Sequence, residues 1–508
     1  MIKVFVRSLI PFSVLLYVIS LVALGYTSFP RDFISSIFVN SDSVFHTYYV
    51  QEIFQAGKDP RTWLLPHSFL IFPEFMLFLV VRLVVGGNVG LVNFITGVLT
   101  FAVVQLSVVF LIVNAFDFNK NRVAQVFTLL AFLNTLLTTT PFVLFFYMSL
   151  APHFHLGTIL NAVICLLCVK KYLDNKKFGL LLGLANTLFI LSDPIFLFYF
   201  TLPAIALAVL QRKKIALDQF RYLLIILFAS SSLSLFLYIL LPTARGYFTK
   251  NIIQVFPYEL FSVYVRLGWY TDFISIFNPT PLLLAVIVGG GFSYFKLSKK
   301  TSGFSDKTFF NVFFTLFILF SFLAYFIFRR GLLLDLRFVF PVFLTLLLLI
   351  VIFVSSLINS RIVLTLAMFV VTTILLVRFT VHKSTFRDIG QEDSKLSACI
   401  GNLVEEQSWD YGVSGFWLGR KLSVLSNLEI NILPVYLDNG RVVGKVPFGD
   451  ISYAGGHSID YVVSNKDFGI EWAEEWLGPP DSHWTCEPNT YVFYYANSKI
   501  NENLQVVW

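Results

Sequence analysis

The chain has 508 residues, of which 57% are hydrophobic and only 13% are charged, and it contains 58 Phe and 22 Tyr. Soluble globular proteins carry about 25% charged residues, so this composition excludes an ordinary soluble enzyme. Repeated apolar runs of roughly 20 residues predict a polytopic α-helical membrane protein. The basic residues are scattered among short loops rather than collected on one face, which argues against a nucleic-acid partner.

The net charge of +7 is unevenly distributed along the chain. Residues 1–379 carry 28 Lys and Arg against 13 Asp and Glu, whereas residues 380–508 carry 9 against 17. Basic loops are typical of the cytoplasmic side of a membrane protein. We therefore expect a multi-span transmembrane domain over 1–379, with an outer loop at 27–88 that carries juxtamembrane helices, and a small soluble domain over 380–508 on the other side.

About eleven transmembrane helices are predicted from the apolar runs. The first run begins near Ser8 and resembles a signal peptide, but it lacks a small-residue cleavage site, so we interpret it as an uncleaved span. Placing the Lys- and Arg-rich loops in the cytoplasm puts the N-terminus inside and the C-terminus outside. The predicted spans are 8–26, 89–116, 123–148, 156–170, 178–191, 195–210, 220–241, 273–295, 308–328, 338–357 and 361–379.

The segment 67–85 is apolar but is interrupted by Pro73, Glu74 and Arg82. If it crossed the membrane, Lys120 and every later basic loop would change sides. We therefore interpret it as a juxtamembrane or re-entrant helix on the outer side. Polar backbone at that depth is tolerated only against protein or a water-filled cavity.

The outer loop from Arg31 to Glu74 is rich in polar, charged and aromatic residues and lies between apolar segments. Asp42 lies just outside the first span, where a carboxylate is able to take a proton from an attacking hydroxyl, and Glu52 follows ten residues later. The alternative is a solvated loop acid, or an N-cap at Asp42 or Ser41 for a helix over 43–56 that ends at Gly57.

Further polar residues fall on the same predicted side. Asp193 lies in a Ser-Asp-Pro turn between two short apolar segments, where ionisable residues are often functional, although Asp before Pro also caps and breaks helices. His153 and His155 flank Phe154 and are candidates for acceptor binding. Without a third ligand they are a weak metal signal, so we predict no metal site and leave divalent-metal dependence open.

An arginine-rich loop on the predicted outer side departs from the positive-inside trend. It contains Arg329, Arg330 and Arg337, together with Asp335. The planar guanidinium group donates paired hydrogen bonds to phosphate, so this loop is a candidate site for a lipid phosphate. The alternatives are general contact with lipid head groups and a structural Arg337–Asp335 pair. Arg245 and Lys250, in the preceding outer loop, are secondary candidates.

The four cysteines divide into two pairs. Cys165 and Cys168 form a CxxC inside an apolar helix with no further ligand nearby, which favours two packed core cysteines. Cys399 and Cys486 are the cysteines of the acidic tail, and an oxidising compartment would allow them to pair.

The tail alternates short apolar runs with Gly, Asn and Pro breaks. Strands are predicted within 427–437, 460–465 and 490–495, and a helix at 395–408. These elements predict a small α+β domain.

Several short motifs resemble the GT-C superfamily of integral membrane glycosyltransferases. They are the acid in the first outer loop, the proline-containing juxtamembrane segment, Ser-Asp-Pro, and Asp335-Leu-Arg337-Phe338-Val-Phe-Pro341 before a late span. The tail segment Tyr411-Gly-Val-Ser-Gly-Phe-Trp417 is also similar to members of that group, and it makes Trp417 a candidate for acceptor binding. The chain lacks an adjacent Asp-Glu pair in the loop and has Phe338 where Tyr is usual.

The resemblance implies a GT-C-like fold and a hexosyltransferase at the outer face of the inner membrane, with the terminal domain in the periplasm. The donor would be a sugar linked to polyprenyl phosphate, and the acceptor a cell-envelope glycan such as O-antigen or lipopolysaccharide. Asp42 would act as the base, with Glu52 and Asp193 as further catalytic candidates, while the late arginines would face the donor phosphate.

Two other functions are compatible with many spans. An O-antigen polymerase or ligase would place its largest outer loop between spans, whereas here the tail is largest. A transporter or flippase of lipid-linked sugars would carry charges in mid-helix and inverted repeats.

Overall fold

A computed structural model of the protein describes most of the helical part and much of the tail. The described residues are 2–26, 37–39, 43–59, 63–64, 70–115, 120–137, 147, 150–151, 155–240, 306–328, 340–357, 361–382, 389, 391–438, 441–443, 449–450, 459–465, 469, 471, 474 and 478–495.

The apolar part of the chain folds into helices. In chain order they are α1 (Ile2–Val22), α2 (Phe45–Tyr49), α3 (Met76–Val85), α4 (Val89–Ala115), α5 (Lys120–Leu137), α6 (Leu156–Asp174), α7 (Phe178–Ser192), α8 (Leu202–Leu210), α9 (Leu217–Leu240), α10 (Asp306–Phe328), α11 (Phe340–Leu357) and α12 (Arg361–Val381). Short π-helical segments at Val50–Gln55, Ile71–Phe75 and Leu197–Thr201 extend α2, precede α3 and precede α8. A helix overlaps each predicted span except 273–295, which lies outside the described residues.

Within the described ranges, 4 helices are long and apolar enough to cross a membrane by length and composition. They are the apolar parts of α4, α6, α9 and α12, at Val89–Leu111, Leu156–Asp174, Leu217–Tyr238 and Ile362–Val381. The other apolar helices, such as α5 and α7, are shorter. Cys165 and Cys168 are buried and unpaired in α6, as predicted for packed core cysteines. The protein is thus a mostly helical chain with 4 candidate membrane-spanning helices among its described residues, and eleven spans remain a prediction.

Hydrogen bonds between distant residues bring one set of helix ends together. Asn93 Nδ2, near the start of α4, donates to the carbonyls of Phe38 (2.8 Å) and Ser43 (2.9 Å). Arg378 Nε, near the end of α12, donates to the Tyr26 carbonyl at 2.6 Å. We call this region, comprising 23–26, 37–39, 43–59, 70–75, 155–158, 192–196 and 378–382, the loop end of the bundle.

The opposite end of α6 and α7 is basic. Lys170 and Lys171 lie near the end of α6, and Lys176 and Lys177 lie in the turn that follows it. This turn and the end of α6 contact the start of α9. Gln219 Nε2 donates to the Leu173 carbonyl at 3.1 Å, and the exposed Lys176 ammonium pairs with Asp218. The two helices therefore run between a basic end and the loop end. In a membrane protein, the positive-inside rule favours a cytoplasmic position for the basic end.

The segment 67–85 forms a π-helical turn at Ile71–Phe75 followed by the 10-residue α3. At 1.5 Å per residue these elements span roughly 22 Å, less than the ~30 Å hydrocarbon core. Leu70, near the start of the segment, bonds to Ser192, and Asn93, after the segment, bonds to Phe38 and Ser43. Both ends of the segment therefore lie at the loop end, as the non-crossing interpretation requires.

The predicted loop helix over 43–56 is present with a later start. It begins at Phe45 with Val44 at the N-cap position, and it makes no side-chain cap there. Asp42 and Ser41, the expected caps, lie outside the described residues. The helix ends before Gly57, whose φ of +68° is the left-handed conformation that glycine adopts readily.

The tail is an α+β unit. Its elements are α13 (Gln391–Gln407), β2 (Gly412–Gly415), α14 (Phe416–Leu425), β3 (Ile432–Asp438), β4 (Arg441–Val443), β5 (Gly449–Asp450), β6 (Tyr461–Ser464), β7 (Ser482–Glu487) and β8 (Thr490–Tyr494). The strands predicted within 427–437, 460–465 and 490–495 and the helix at 395–408 are confirmed.

The described part of the tail contains a 6-stranded sheet with the order β4-β3-β2-β6-β8-β7. Strand β2 pairs in parallel with β3 and β6, and the remaining pairs are antiparallel. Trp409 stacks on Tyr461 and on Tyr494, each with ring centroids 5.3 Å apart. Cys399 on α13 and Cys486 on β7 form a disulfide that ties a helix to the edge of the sheet.

The tail also pairs with the outer loop. Strand β1 (Trp63–Leu64) lies antiparallel to β5, with Trp63 opposite Asp450 and Leu64 opposite Gly449. The acidic tail and the first loop therefore lie on the same side of the bundle.

Replacing Cys399 and Cys486 together with Ser is expected to destabilise the tail by about 2–5 kcal/mol, because the bridge constrains a long unfolded loop. The two cysteines are 87 residues apart in sequence. The measurement is denaturant unfolding of the full-length protein in detergent, followed by tryptophan fluorescence. In the same preparation, the wild type is unfolded without reduction and treated with an alkylating reagent. Only two of its four cysteines should then react. An unchanged unfolding midpoint, or four reactive thiols, would contradict the bridge.

Candidate functional site

The segment Leu70–Phe75 interrupts the helical backbone at the loop end. Leu70 adopts a left-handed φ of 50°, and Phe72 is extended before a cis bond to Pro73. The Leu70 amide donates to the Ser192 carbonyl at 2.8 Å, and the Phe72 amide donates to Ser192 Oγ at 3.1 Å. Asn161 Nδ2, on α6, donates to the Phe72 carbonyl at 2.9 Å. The backbone groups released by the break are thus satisfied by α6 and by the end of α7.

Glu74 is held against the first turn of α6. Its side chain is 2% exposed, and the Gly157 amide donates to Oε1 at 2.7 Å. A Cβ atom at Gly157 would lie 2.3 Å from that oxygen and 2.4 Å from Pro73 Cδ, so only glycine permits this approach. The first amides of a helix have no intrahelical partner and are suited to an acidic oxygen.

The pKa of Glu74 is raised to about 8, and burial is the largest cause of the rise. Hydrogen bonds from the amides of Glu74 and Gly157 oppose the rise, and the nearby Asp193 carboxylate contributes to it. A carboxyl group with this pKa is mostly neutral at pH 7.

Asp193 and His155 form a buried pair beside Glu74. His155 Nδ1 lies 2.7 Å from Asp193 Oδ2, and Thr158 Oγ1 donates to the same oxygen at 2.5 Å. The Ile195 amide donates to Asp193 Oδ1 at 3.3 Å, so Asp193 also caps its own turn, as the structural alternative predicted. We call Glu74, His155, Thr158 and Asp193 the buried acid site.

The pKa of Asp193 is shifted opposite to that of Glu74. Burial is the largest single influence and raises the pKa, but the charge of His155 and hydrogen bonds from His155, Thr158 and Ile195 together lower it below its ordinary value. Neighbouring carboxyl groups with opposite shifts are able to hold different protonation states at one pH.

Glu52 lies in a different place, on the π-helical extension of α2. Its side chain is fully buried, and Lys58 Nζ lies 3.0 Å from Oε2. The Arg420 guanidinium, on α14 of the tail, stacks over the Tyr48 ring at 4.1 Å. A cleft between the loop and the tail is lined by Tyr48, Glu52, Arg420, Ser423, Leu428, Ile430, Asn431, Ile432, Leu433 and Pro434. We call it the interdomain cleft.

Polar contacts hold the two walls of the interdomain cleft together. Gln51 Nε2 donates to the Val424 carbonyl at 3.0 Å and to Asn427 Oδ1 at 3.1 Å. Gln51 is adjacent to Glu52 in sequence, so the position of Glu52 depends on the docking of α14.

The predicted site residues therefore separate into two groups. Asp193 and His155 come together, whereas Glu52 lies in the interdomain cleft. Trp417 lies on α14, three residues from Arg420 in sequence. Asp42, His153, Arg245, Lys250, Arg329, Arg330 and Arg337 lie outside the described residues. No group of three or more His, Cys, Asp and Glu suited to a metal ion occurs in the part of the chain that the structure describes.

Glu74 and Arg420 were missed as site residues. The signal for Glu74 was present, because an acid directly after Pro73 interrupts an otherwise apolar run. Arg420 carries no such signal, since a single cation on an amphipathic helix is usually a solvated side chain.

Comparisons with known proteins supply no relative: no protein-family model matches the chain, and no curated protein matches it significantly.

Substituting Gly157 with Ala is expected to destabilise the protein by about 1–3 kcal/mol, because the added methyl group displaces Glu74 and Pro73. Gly183→Ala is the matched control, since its Cβ would meet only Ile226 Cγ2 at an ordinary 3.5 Å. Thermal unfolding in detergent measures both variants. Gly183→Ala should leave the midpoint unchanged or slightly raised, and equal effects of the two substitutions would contradict the described contact.

Proposed function

We propose that this protein is an integral membrane glycosyltransferase that moves a sugar from a polyprenyl-phosphate carrier to a cell-envelope glycan at the outer face of the inner membrane. The observation that carries the proposal is that the loop end brings together buried carboxyl groups, a broken helix and a docked tail domain at the end of an apolar bundle. A hydrophilic acceptor and a membrane-bound donor are able to meet at such a surface.

Two features of the chain support the proposed compartment of the tail. Disulfides persist in oxidising compartments such as the periplasm, and the Cys399–Cys486 bridge lies in the tail that docks on the loop end. The lysine-rich turn at the other end of α6 and α7 suits the cytoplasm. We therefore propose eleven spans, a cytoplasmic N-terminus and a periplasmic tail.

The proposed reaction is direct displacement at the anomeric carbon. An acceptor hydroxyl attacks, the bond between the anomeric carbon and the phosphate oxygen breaks, and the lipid leaves as a monophosphate that carries the electron pair. Asp42, which precedes the loop helix bearing Glu52, is proposed to take the hydroxyl proton. Because the leaving group is a phosphate, nearby guanidinium groups would stabilise the charge that develops on it.

Binding roles are assigned by chemistry. Arg329, Arg330 and Arg337 lie between α10 and α11 and are proposed to bind the donor phosphate, with Arg245 and Lys250 as further candidates. The acceptor glycan is proposed to approach the interdomain cleft, where Glu52 and Arg420 lie beside an aromatic ring and Trp417 is on the same helix as Arg420. Ligand sites form preferentially at such domain interfaces.

One observation favours a second function, the transport of lipid-linked sugars. Buried ionisable groups at the ends of apolar helices are typical of proton-coupled transporters, and Glu74 and Asp193 are 2% and 1% exposed. Transport moves the lipid-linked sugar across the bilayer intact, whereas transfer consumes it.

Asp42→Asn is expected to reduce sugar transfer by about 10²–10⁴-fold at normal membrane abundance, because the amide is unable to accept the proton. The assay uses membrane vesicles with radiolabelled polyprenyl-phosphate sugars and measures both lipid monophosphate release and incorporation into glycan. Asp218→Asn is the matched control, since this exposed acid pairs with Lys176 at the basic end. It should retain full transfer.

Full transfer by Asp42→Asn would remove Asp42 from the mechanism. Movement of intact lipid-linked sugar between leaflets by the wild type, without monophosphate release, would replace the transferase with the transporter.

A further inference from the structure

Two oxygen atoms, one in the buried acid site and one on α6 beside it, lack hydrogen-bond partners among the described residues. They are Glu74 Oε2 and Asn161 Oδ1, and both are fully buried. The other oxygen of Glu74 binds the Gly157 amide, and the amide nitrogen of Asn161 binds the Phe72 carbonyl. Because residues 157 and 161 are one helical turn apart, Asn161 lies on the same face of α6 as the residue whose amide binds Glu74.

An ionised carboxylate and an amide oxygen are both acceptors, so neither satisfies the other. Protonation converts one carboxyl oxygen into a donor, and a single proton then satisfies both buried atoms. We propose that Glu74 binds a proton on Oε2 at neutral pH and that this proton joins Glu74 to Asn161 Oδ1, directly or through one buried water. The shared proton anchors the segment Leu70–Phe75 to α6. The inference does not depend on the proposed transferase activity.

The charged and titratable groups around Glu74 favour this assignment. Asp193, on the turn after α7, is already stabilised as an anion by His155 and Thr158. A second anion beside it is unfavourable, which agrees with the raised pKa of Glu74. His46, on α2, packs against Phe75 with the ring centroids 5.2 Å apart and the ring planes tilted by 47°. Arg82 lies two turns further along, on α3.

Stability should depend on pH in a defined direction. The pKa of Glu74 is raised from 4.5 to about 8 in the folded protein, so the folded state binds the proton more tightly than the unfolded state does. The stabilisation is therefore complete below pH 4.5, declines as pH rises and is lost above about pH 8. Glu74→Gln supplies a permanent donor in place of the proton while its oxygen still accepts from Gly157.

The first test is infrared difference spectroscopy of the full-length protein in detergent, with Glu74→Gln and Glu52→Gln as matched variants. Wild type at pH 7 should show a carboxylic acid C=O band that titrates near pH 8. The band should be absent from Glu74→Gln, retained in Glu52→Gln and shifted in Asn161→Leu, which removes the acceptor. A wild-type spectrum without an acid band at pH 7 overturns the proposal. This outcome is measured on the wild type alone, so it does not depend on whether any variant folds.

The second test is thermal unfolding as a function of pH. The unfolding midpoint of wild type should fall more steeply than that of Glu74→Gln between pH 4.5 and about pH 8. Parallel curves for the two proteins would overturn the proposal.

Discussion

The hydrogen bonds that satisfy the broken backbone at Leu70–Phe75 are the interaction on which the loop end depends. In an apolar environment, an exposed amide or carbonyl group has no water to bind, so a break in a helix must be satisfied by protein. Ser192 and Asn161 satisfy this one, and they thereby bring the end of α7 and the start of α6 to the same place. Glu74, carried by the same segment, then lies against Gly157 and next to Asp193.

The tail packs directly on the loop end. Its α14 binds the loop helix through Gln51, and its β5 pairs with β1. Because the loop helix packs on α3 through His46, Phe75 and Phe78, the tail, the loop and the buried acid site are connected by direct contacts. Displacement of the tail would therefore alter the surroundings of Glu52 first and those of Phe75 next.

The sequence predicted the described helices and tail elements, because those features depend on local composition and periodicity. The grouping of all the polar residues on one side of the membrane stays a prediction, and among the described residues His155 and Asp193 do come together. The sequence did not predict which polar residues meet. Glu52 and Asp42 were grouped by closeness in sequence, whereas Glu52 is positioned by Gln51 and α14, more than 360 residues away along the chain. Likewise Glu74 meets Asp193 only because a non-helical turn folds back onto Ser192, and no period in the sequence encodes such a contact.

The central claim is that the first loop and the tail lie on one face of the membrane and the lysine-rich turn on the other. Single cysteines at the exposed positions Gln55, Glu406 and Lys177 test it directly with a membrane-impermeant thiol reagent, since native Cys165 and Cys168 are buried. In intact spheroplasts, Gln55→Cys and Glu406→Cys should react, and Lys177→Cys should react only after permeabilisation. Reaction of Gln55→Cys and Glu406→Cys from opposite sides, or of Lys177→Cys together with them, would contradict the account.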